Sequence, residues 1–335
     1  MRNAYKLNTI MKKVLLSVFT IVVGISAFAQ QDYQFTQNMF NRVPINPGAA
    51  GTNDAICATM FFRQQWIGFD GSPQTMQFSA DAPFVMPYIG GTHGVGLTVF
   101  QDKLGFETNF MGKLAYSYRR NIFGGPGELG IGIDGAFYNK SLNGAWIATD
   151  DYTQDQAIPN AGASDYTMNL GAGLYYHIPQ KLYVGLSSTH VVSGDIQTSV
   201  QGTGNTQYQY NYNVKRHYYI MAGYEWDMTS ELKLLPSVFA KTDAASTQLD
   251  INCNVMWNQF LWGGLSYRVQ DAAAVLLGID FTEVAVPGLK LGLAYDVTTS
   301  GLKSYSSGSA EIMLNYCFKI PKKPKVNVYK SVRFL

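Results

Sequence analysis

From Ala55 onward the chain breaks into segments of about ten to fifteen residues in which apolar and polar side chains alternate with period two. Clusters of Gly, Pro, Asn and Asp separate them. About 14 such segments can be counted, near 55–66, 73–84, 93–101, 106–120, 127–139, 164–178, 181–191, 212–227, 231–241, 245–257, 259–269, 271–282, 288–298 and 308–319. A strand sends successive side chains to opposite faces. In 106–120, Phe106, Thr108, Phe110, Gly112, Leu114, Tyr116 and Tyr118 therefore share one face, and Glu107, Asn109, Lys113, Ser117 and Arg119 share the other. The split recurs with Leu289, Leu291, Leu293, Tyr295 and Val297 opposite Lys290, Gly292, Ala294 and Asp296. It recurs again with Tyr166, Met168, Leu170, Ala172, Leu174 and Tyr176 opposite Asp165, Asn169 and His177. One face suits lipid and the other a wet lumen.

Connection lengths point the same way. A transmembrane barrel entered from the periplasm has its long loops on the odd-numbered connections. The two longest gaps, about Lys140 to Ala163 and about Val192 to Asn211, are the fifth and the seventh. Both read as solvated, mobile surface. Pro179-Gln180, Met228-Thr229-Ser230 and Asn258 make short even turns. The competing architecture is a soluble β-sandwich, whose strands are usually shorter. Trp66, Tyr116, Tyr118, Tyr224, Trp226, Trp257 and Trp262 lie near segment ends, which fits interfacial girdles. The expected fold is all-β: a transmembrane antiparallel barrel spanning 55–320, preceded by a periplasmic or plug-like segment at 30–54 and followed by a basic periplasmic tail at 321–335.

The leader and the composition strengthen this picture. Lys12 and Lys13 precede an apolar run from Val14 to Ile25 that is too short to span a bilayer, and Ala27-Phe28-Ala29 has the shape of a signal-peptidase site. Residues 1–29 are expected to be removed, with Met11 the better start, and no Cys follows the site to make a lipoprotein. The leader holds Arg2, Lys6, Lys12 and Lys13 and no acid, so 25 basic residues less four leave 21 against 23 acidic ones. That near-neutral balance argues against nucleic acid as a partner. Only 14% of residues are charged while 14% are aromatic and 33 are Gly, too few charges for a soluble surface of this size. The mature part holds no apolar run long enough for a membrane helix, so the membrane segments must be strands.

The face assignment sends Arg63, Glu107, Lys113, Arg119, Asp134, Lys215, Glu225, Asp250, Arg268, Asp280, Lys290, Asp296 and Glu311 inward. Mixed signs at this density favour a lumenal ion-pair network, with Arg63, Glu107, Lys113, Arg119, Arg268 and Glu311 as candidates, over an open selective pore. No catalytic or cofactor site is expected. His93, His177, His190 and His217 sit on separate segments without metal-ligand spacing, and no nucleophile elbow or acid dyad stands out. Gly124-Gly125-Pro126-Gly127, and Gly90-Gly91 with Gly94 and Gly96, read as turns and as glycines that relieve barrel curvature. Cys57, Cys253 and Cys317 read as small apolar strand residues. Closure makes the segments of Cys57 and Cys317 neighbours, but a disulfide also requires register to bring the Cβ atoms to about 4 Å, and the expectation is that they stay unbonded.

Two stretches exceed what a barrel needs. In Gln31 to Gly51, Phe35, Met39 and Phe40 fall at helix-like spacing, so the segment is expected to be ordered in or under the barrel mouth. The tail from Pro321 carries Lys322, Lys323, Lys325, Lys330 and Arg333 with no acid, either a frayed terminus or an extended strip for an acidic partner.

Asp32-Tyr33-Gln34-Phe35-Thr36-Gln37-Asn38-Met39-Phe40-Asn41 with Ile45-Asn46-Pro47-Gly48-Ala49-Ala50-Gly51 resembles the mature N-terminal signature of the PorP/SprF family of the type IX secretion system. Arg63-Gln64-Gln65-Trp66 with Gly68-Phe69-Asp70-Gly71-Ser72-Pro73-Gln74-Thr75 resembles its second signature. Tyr305-Ser306-Ser307-Gly308-Ser309-Ala310-Glu311-Ile312-Met313-Leu314 and the closing Ser331-Val332-Arg333-Phe334-Leu335 resemble it too. The family usually has His where Ala310 stands and Ala where Gly48 stands. The resemblance implies an outer-membrane component of the Bacteroidota secretion and gliding apparatus. It also implies association with ring lipoproteins of the PorK and PorN kind, with a peptidoglycan-binding lipoprotein of the PorE kind, or with a secreted adhesin or other type IX cargo. Phe35, Met39, Phe40, Asn46, Pro47, Lys322, Lys323, Lys325 and Arg333 are the expected docking residues. A passive porin is the alternative function.

Overall fold

The computed structural model describes residues 32–319, apart from 69, 123, 143–162, 202–206 and 284–285. The leader, most of the fifth connection and the tail with Lys322, Lys323, Lys325 and Arg333 lie outside the described residues. Fourteen antiparallel strands form the wall: β1 (Ala55–Gln64), β2 (Gln74–Phe84), β3 (Thr92–Leu104), β4 (Glu107–Arg120), β5 (Glu128–Leu142), β6 (Ala163–Ile178), β7 (Leu182–Ser193), β8 (His217–Tyr224), β9 (Leu232–Thr242), β10 (Thr247–Trp257), β11 (Leu261–Arg268), β12 (Ala272–Asp280), β13 (Leu289–Thr298) and β14 (Ser309–Lys319). Each pairs with the next, and β14 returns to β1 in register from Ala55 opposite Lys319 to Gln64 opposite Ala310. Closure leaves no wall strand with an unpaired edge, which a backbone surrounded by lipid requires.

Period-two alternation sets the two faces. Leu114, Ile133, Met168 and Leu265 stand exposed on the outside while Lys113, Asp134, Asn169 and Ser266 are buried within. The seventh connection, expected to be loop, instead carries a hairpin in which Asp195–Gln201 pairs with Gln207–Asn213. Its alternation ran on into the eighth segment and blurred the boundary. β8 therefore starts at His217, and Lys215, expected to point inward, lies exposed in the connection ahead of it.

Residues 32–54 lie inside the barrel. Asp32 contacts Thr189, His217 and Lys241 at the long-loop end of the wall. At the opposite, short-turn end, Gly51 bonds Asp81 and Arg119. The segment thus runs the length of the lumen as a plug, through short helical turns at Asn38–Phe40, Arg42–Ile45 and Pro47–Ala49. Two apolar contacts seat it. Phe35 and Met39 pack with Phe61, Trp262, Leu276 and Met313, and Ile45 and Ala49 pack with Tyr175, Tyr219, Met221 and Phe239.

Within the second contact the Asn46-Pro47-Gly48 turn presses directly on wall backbone. The Asn46 side chain accepts from Gly48 N at 2.9 Å and donates to the carbonyls of Leu174 (2.9 Å) and Leu186 (3.2 Å) on neighbouring strands. The approach is possible because the wall lacks side chains there. A Cβ on Gly132 would lie 2.3 Å from Gly48 N, one on Gly130 2.4 Å from Gly48 O, and one on Gly173 2.2 Å from Asn46 Oδ1. Gly94 and Gly96, expected to relieve curvature, belong to the same track: their Cβ positions would meet Ala50 O at 2.0 Å and Val43 Cγ1 at 2.8 Å.

The cysteine expectation is overturned in part. Cys57 and Cys317 are bonded across the β1–β14 seam, joining residues 260 apart in sequence, because the pairing register sets them directly opposite. Cys253 is free and exposed on the outer face of β10.

Two predictions follow from this packing. Gly132→Ala should destabilise the barrel by about 1–3 kcal/mol through overpacking, lowering the temperature at which it loses its compact mobility on gels. Gly112→Ala, whose Cβ would meet nothing within 4 Å, should leave that temperature unchanged. The oxidised, heat-denatured chain should migrate faster than the reduced one, and the difference should vanish in a Cys57→Ser, Cys317→Ser variant.

Candidate functional site

Two polar groupings dominate the lumen. The first is an ion cluster around the plug at Thr36. The Arg63 guanidinium reaches Asp296 at 2.7 Å, Glu311 at 3.0 Å and Thr36 Oγ1 at 2.8 Å. Arg268 bridges Asp250 at 3.2 Å and Asp296 at 3.2 Å. Three fully buried carboxylates thus face two guanidinium groups, and the plug supplies the missing donors. Thr36 N and Gln37 N donate to Glu311 at 2.7 and 2.9 Å, the Thr36 hydroxyl donates to Asp296, and Asn38 Nδ2 donates to Asp250. Ionised acceptors make these among the stronger hydrogen bonds available.

The second grouping holds the outer end of the plug. The β6–β7 register slips between Leu170 and Ala172, and His190 takes a φ of 54°, which turns its ring inward. His190 Nε2 then lies 3.5 Å from Asp32 Oδ1, and His217 approaches from β8 at 3.7 Å. The Tyr219 hydroxyl donates to Asp32 at 2.5 Å and Lys241 Nζ donates to its carbonyl at 2.8 Å. Burial pushes the Asp32 carboxyl up, but His217, His190 and Tyr219 together hold it well below the usual carboxylate range. The carboxylate therefore stays ionised and fixes the plug at the point where the lumen opens.

Alongside the outer half of the plug, from Asp32 to Ile45, lies a vestibule of about 790 Å³ that opens at the long-loop end. Tyr33 and Phe35 of the plug form part of its floor, and Phe100, Asn109, Tyr138 and Lys140 part of its wall. Among the described residues no group of three or more His, Cys, Asp or Glu is placed to hold a metal ion.

Of the six network residues expected from sequence, Arg63, Arg268 and Glu311 meet in the ion cluster. The other three stand apart. Glu107 pairs with Lys140 near the long-loop rim. Lys113 donates to Pro44 O and sits 3.6 Å from Asp134, and Arg119 holds Glu128 and Gly51 O near the short-turn end. Phe35, Met39, Phe40, Asn46 and Pro47, expected to meet a partner, face the barrel wall here, and all but the partly covered Phe40 are buried. Sequence reasoning missed Asp32, Thr36 and Gln37 and the roles of His190 and His217. Nothing in their spacing signals a role, because closure and the bulge bring them together.

Solved structures with similar shape are outer-membrane barrels. They include the CymD monoaromatic hydrocarbon channel (11% identity, TM-score 0.47, covering 89% of this chain and 96% of that one). The toluene transporter TbuX of Ralstonia pickettii is another (11%, 0.47, 82% and 92%), as is the translocator domain of the autotransporter NalP from Neisseria meningitidis (11%, 0.38, 79% and 88%). Likenesses this distant say nothing about what this chain binds. No curated protein matches it. Residues 27–316 match the family described as type IX secretion system membrane protein PorP/SprF, and the chain belongs to this family.

Proposed function

We propose that the chain serves the type IX machine as a plugged, non-catalytic outer-membrane scaffold. In this reading the short-turn face and the basic tail dock periplasmic components, ring lipoproteins or a peptidoglycan-binding lipoprotein, and the long outer loops meet secreted cargo such as an adhesin. The observation that carries the reading is the obstructed lumen. Fourteen strands could enclose a channel, but here the plug, two apolar clusters and a buried ion network occupy the interior below the outer vestibule. That arrangement suits holding partners on two sides of a membrane better than passing solutes. A partner anchored in the periplasm can reach only the short-turn side, and five cations in the strip from Pro321 to Leu335 would capture an acidic surface in a salt-sensitive way.

Two measurements test this. Deleting Pro321 to Leu335 should leave a folded, heat-modifiable barrel that co-purifies less well with periplasmic partners. Retention of those partners at unchanged salt tolerance would remove the tail from the docking role. Purified protein in planar bilayers should carry little steady current, whereas sustained conductance would favour the porin alternative.

A further inference from the structure

We propose that the outer vestibule is a binding site for a neutral saccharide. Its volume of about 790 Å³ falls within the range of small-ligand sites. Because the Asn46–Gly51 end of the plug presses on wall backbone beneath it, its ligand arrives from the long-loop side.

The lining limits the ligand's chemistry in three ways. First, the charges cancel. Four carboxylates and three lysines line the vestibule, and most are already paired: Glu107 with Lys140, Lys113 with Asp134, Asp271 with Arg268, and Asp32 with its histidines. A phosphate, a polycation or a strongly acidic ligand would find no excess of opposite charge. Second, an unmet acceptor remains. Asn109 is 8% exposed, and its Nδ2 donates to Glu107 at 2.7 Å while its Oδ1 has no partner. A buried acceptor left unpaired is costly, so a ligand that brings hydroxyl donors gains by meeting it. Third, aromatic surface is interleaved with these groups. Tyr33 stacks on Phe100 with ring centroids 3.8 Å apart, and Tyr138 stands beside His190. A pyranose ring offers an apolar C–H face to such rings and hydroxyls that both donate and accept at its edge. A lipid tail would leave the amides and carboxylates unmet.

The inference does not depend on the secretion role, and its test is independent of secretion. Full-length protein in an amine-oxide detergent, which avoids sugar head groups, is titrated by calorimetry and by saturation-transfer NMR. The probes are maltotriose, neutral O-polysaccharide fragments released from the cell's own lipopolysaccharide, sialyllactose and an oligolysine peptide. Saturable binding of maltotriose or the O-polysaccharide fragments is expected, weakened at least tenfold by Asn109→Ala and by Tyr138→Ala and unchanged by Lys303→Ala on the exposed turn between β13 and β14. Preference for the O-polysaccharide fragments would assign the ligand to the cell's own surface, and preference for maltotriose to free glycan. Circular dichroism and heat-modifiable mobility confirm that each variant is folded, and Asn109→Asp, of similar shape, gives a second reading should an alanine variant fail. The proposal is overturned if neither neutral probe binds, if only sialyllactose or oligolysine does, or if folded variants bind the sugar within twofold of the parent.

Discussion

Glu311 is buried in the lumen at the rim of the last strand, and an ionised carboxylate there must find its donors in protein. One comes from Arg63, directly opposite on β1, two from the backbone N–H groups of Thr36 and Gln37, and a fourth from the Gln37 side-chain amide. This requirement joins three distant parts of the chain: the barrel seam, the first described residues, and, through Asp296 and Arg268, the wall on the far side of β14. Breaking such a group by removing one member leaves a buried charge uncompensated, a loss of about 3–5 kcal/mol. The plug, the seam and the cluster therefore stand or fall together.

The glycine track answers the same requirement from the wall side. For Thr36 and Gln37 to reach Glu311 while Asn46 reaches the carbonyls of Leu174 and Leu186, the plug must touch backbone at its lower end, where Gly130, Gly132 and Gly173 give it room. Polar contacts set where the plug sits, and missing side chains let it sit there. A plug held this way is part of the barrel's interior rather than a guest in it.

The wall was legible in the sequence and the interior was not. Alternation along Phe106 to Arg119 or Leu289 to Thr298 is a local signal, since period two follows from the strand itself, and it located the strands and most inward charges. The plug's contacts are long-range: Thr36 meets Glu311, and Asp32 meets Lys241. No periodicity relates such pairs. Cys57 and Cys317 fall between the two cases. Closure made them neighbours on paper, but only the one-to-one register of β1 with β14 sets them opposite each other. His190 shows a further limit, for its inward aim depends on a bulge that alternation cannot foretell.

The direction of the plug bears on the order in which the molecule can assemble. Asp32 precedes every described strand, yet its segment binds β7, β9, β13 and β14, so residues made before the wall find partners in its last strands. Contacts this distant in sequence carry a high loop-closure cost and are slow to form. A sheet sealed at β1 and β14 before the segment had entered could admit it only by threading through the short-turn mouth, where Gly51 leads into β1. The Cys57–Cys317 bond, lying across the seam, can form only as the two strands come together.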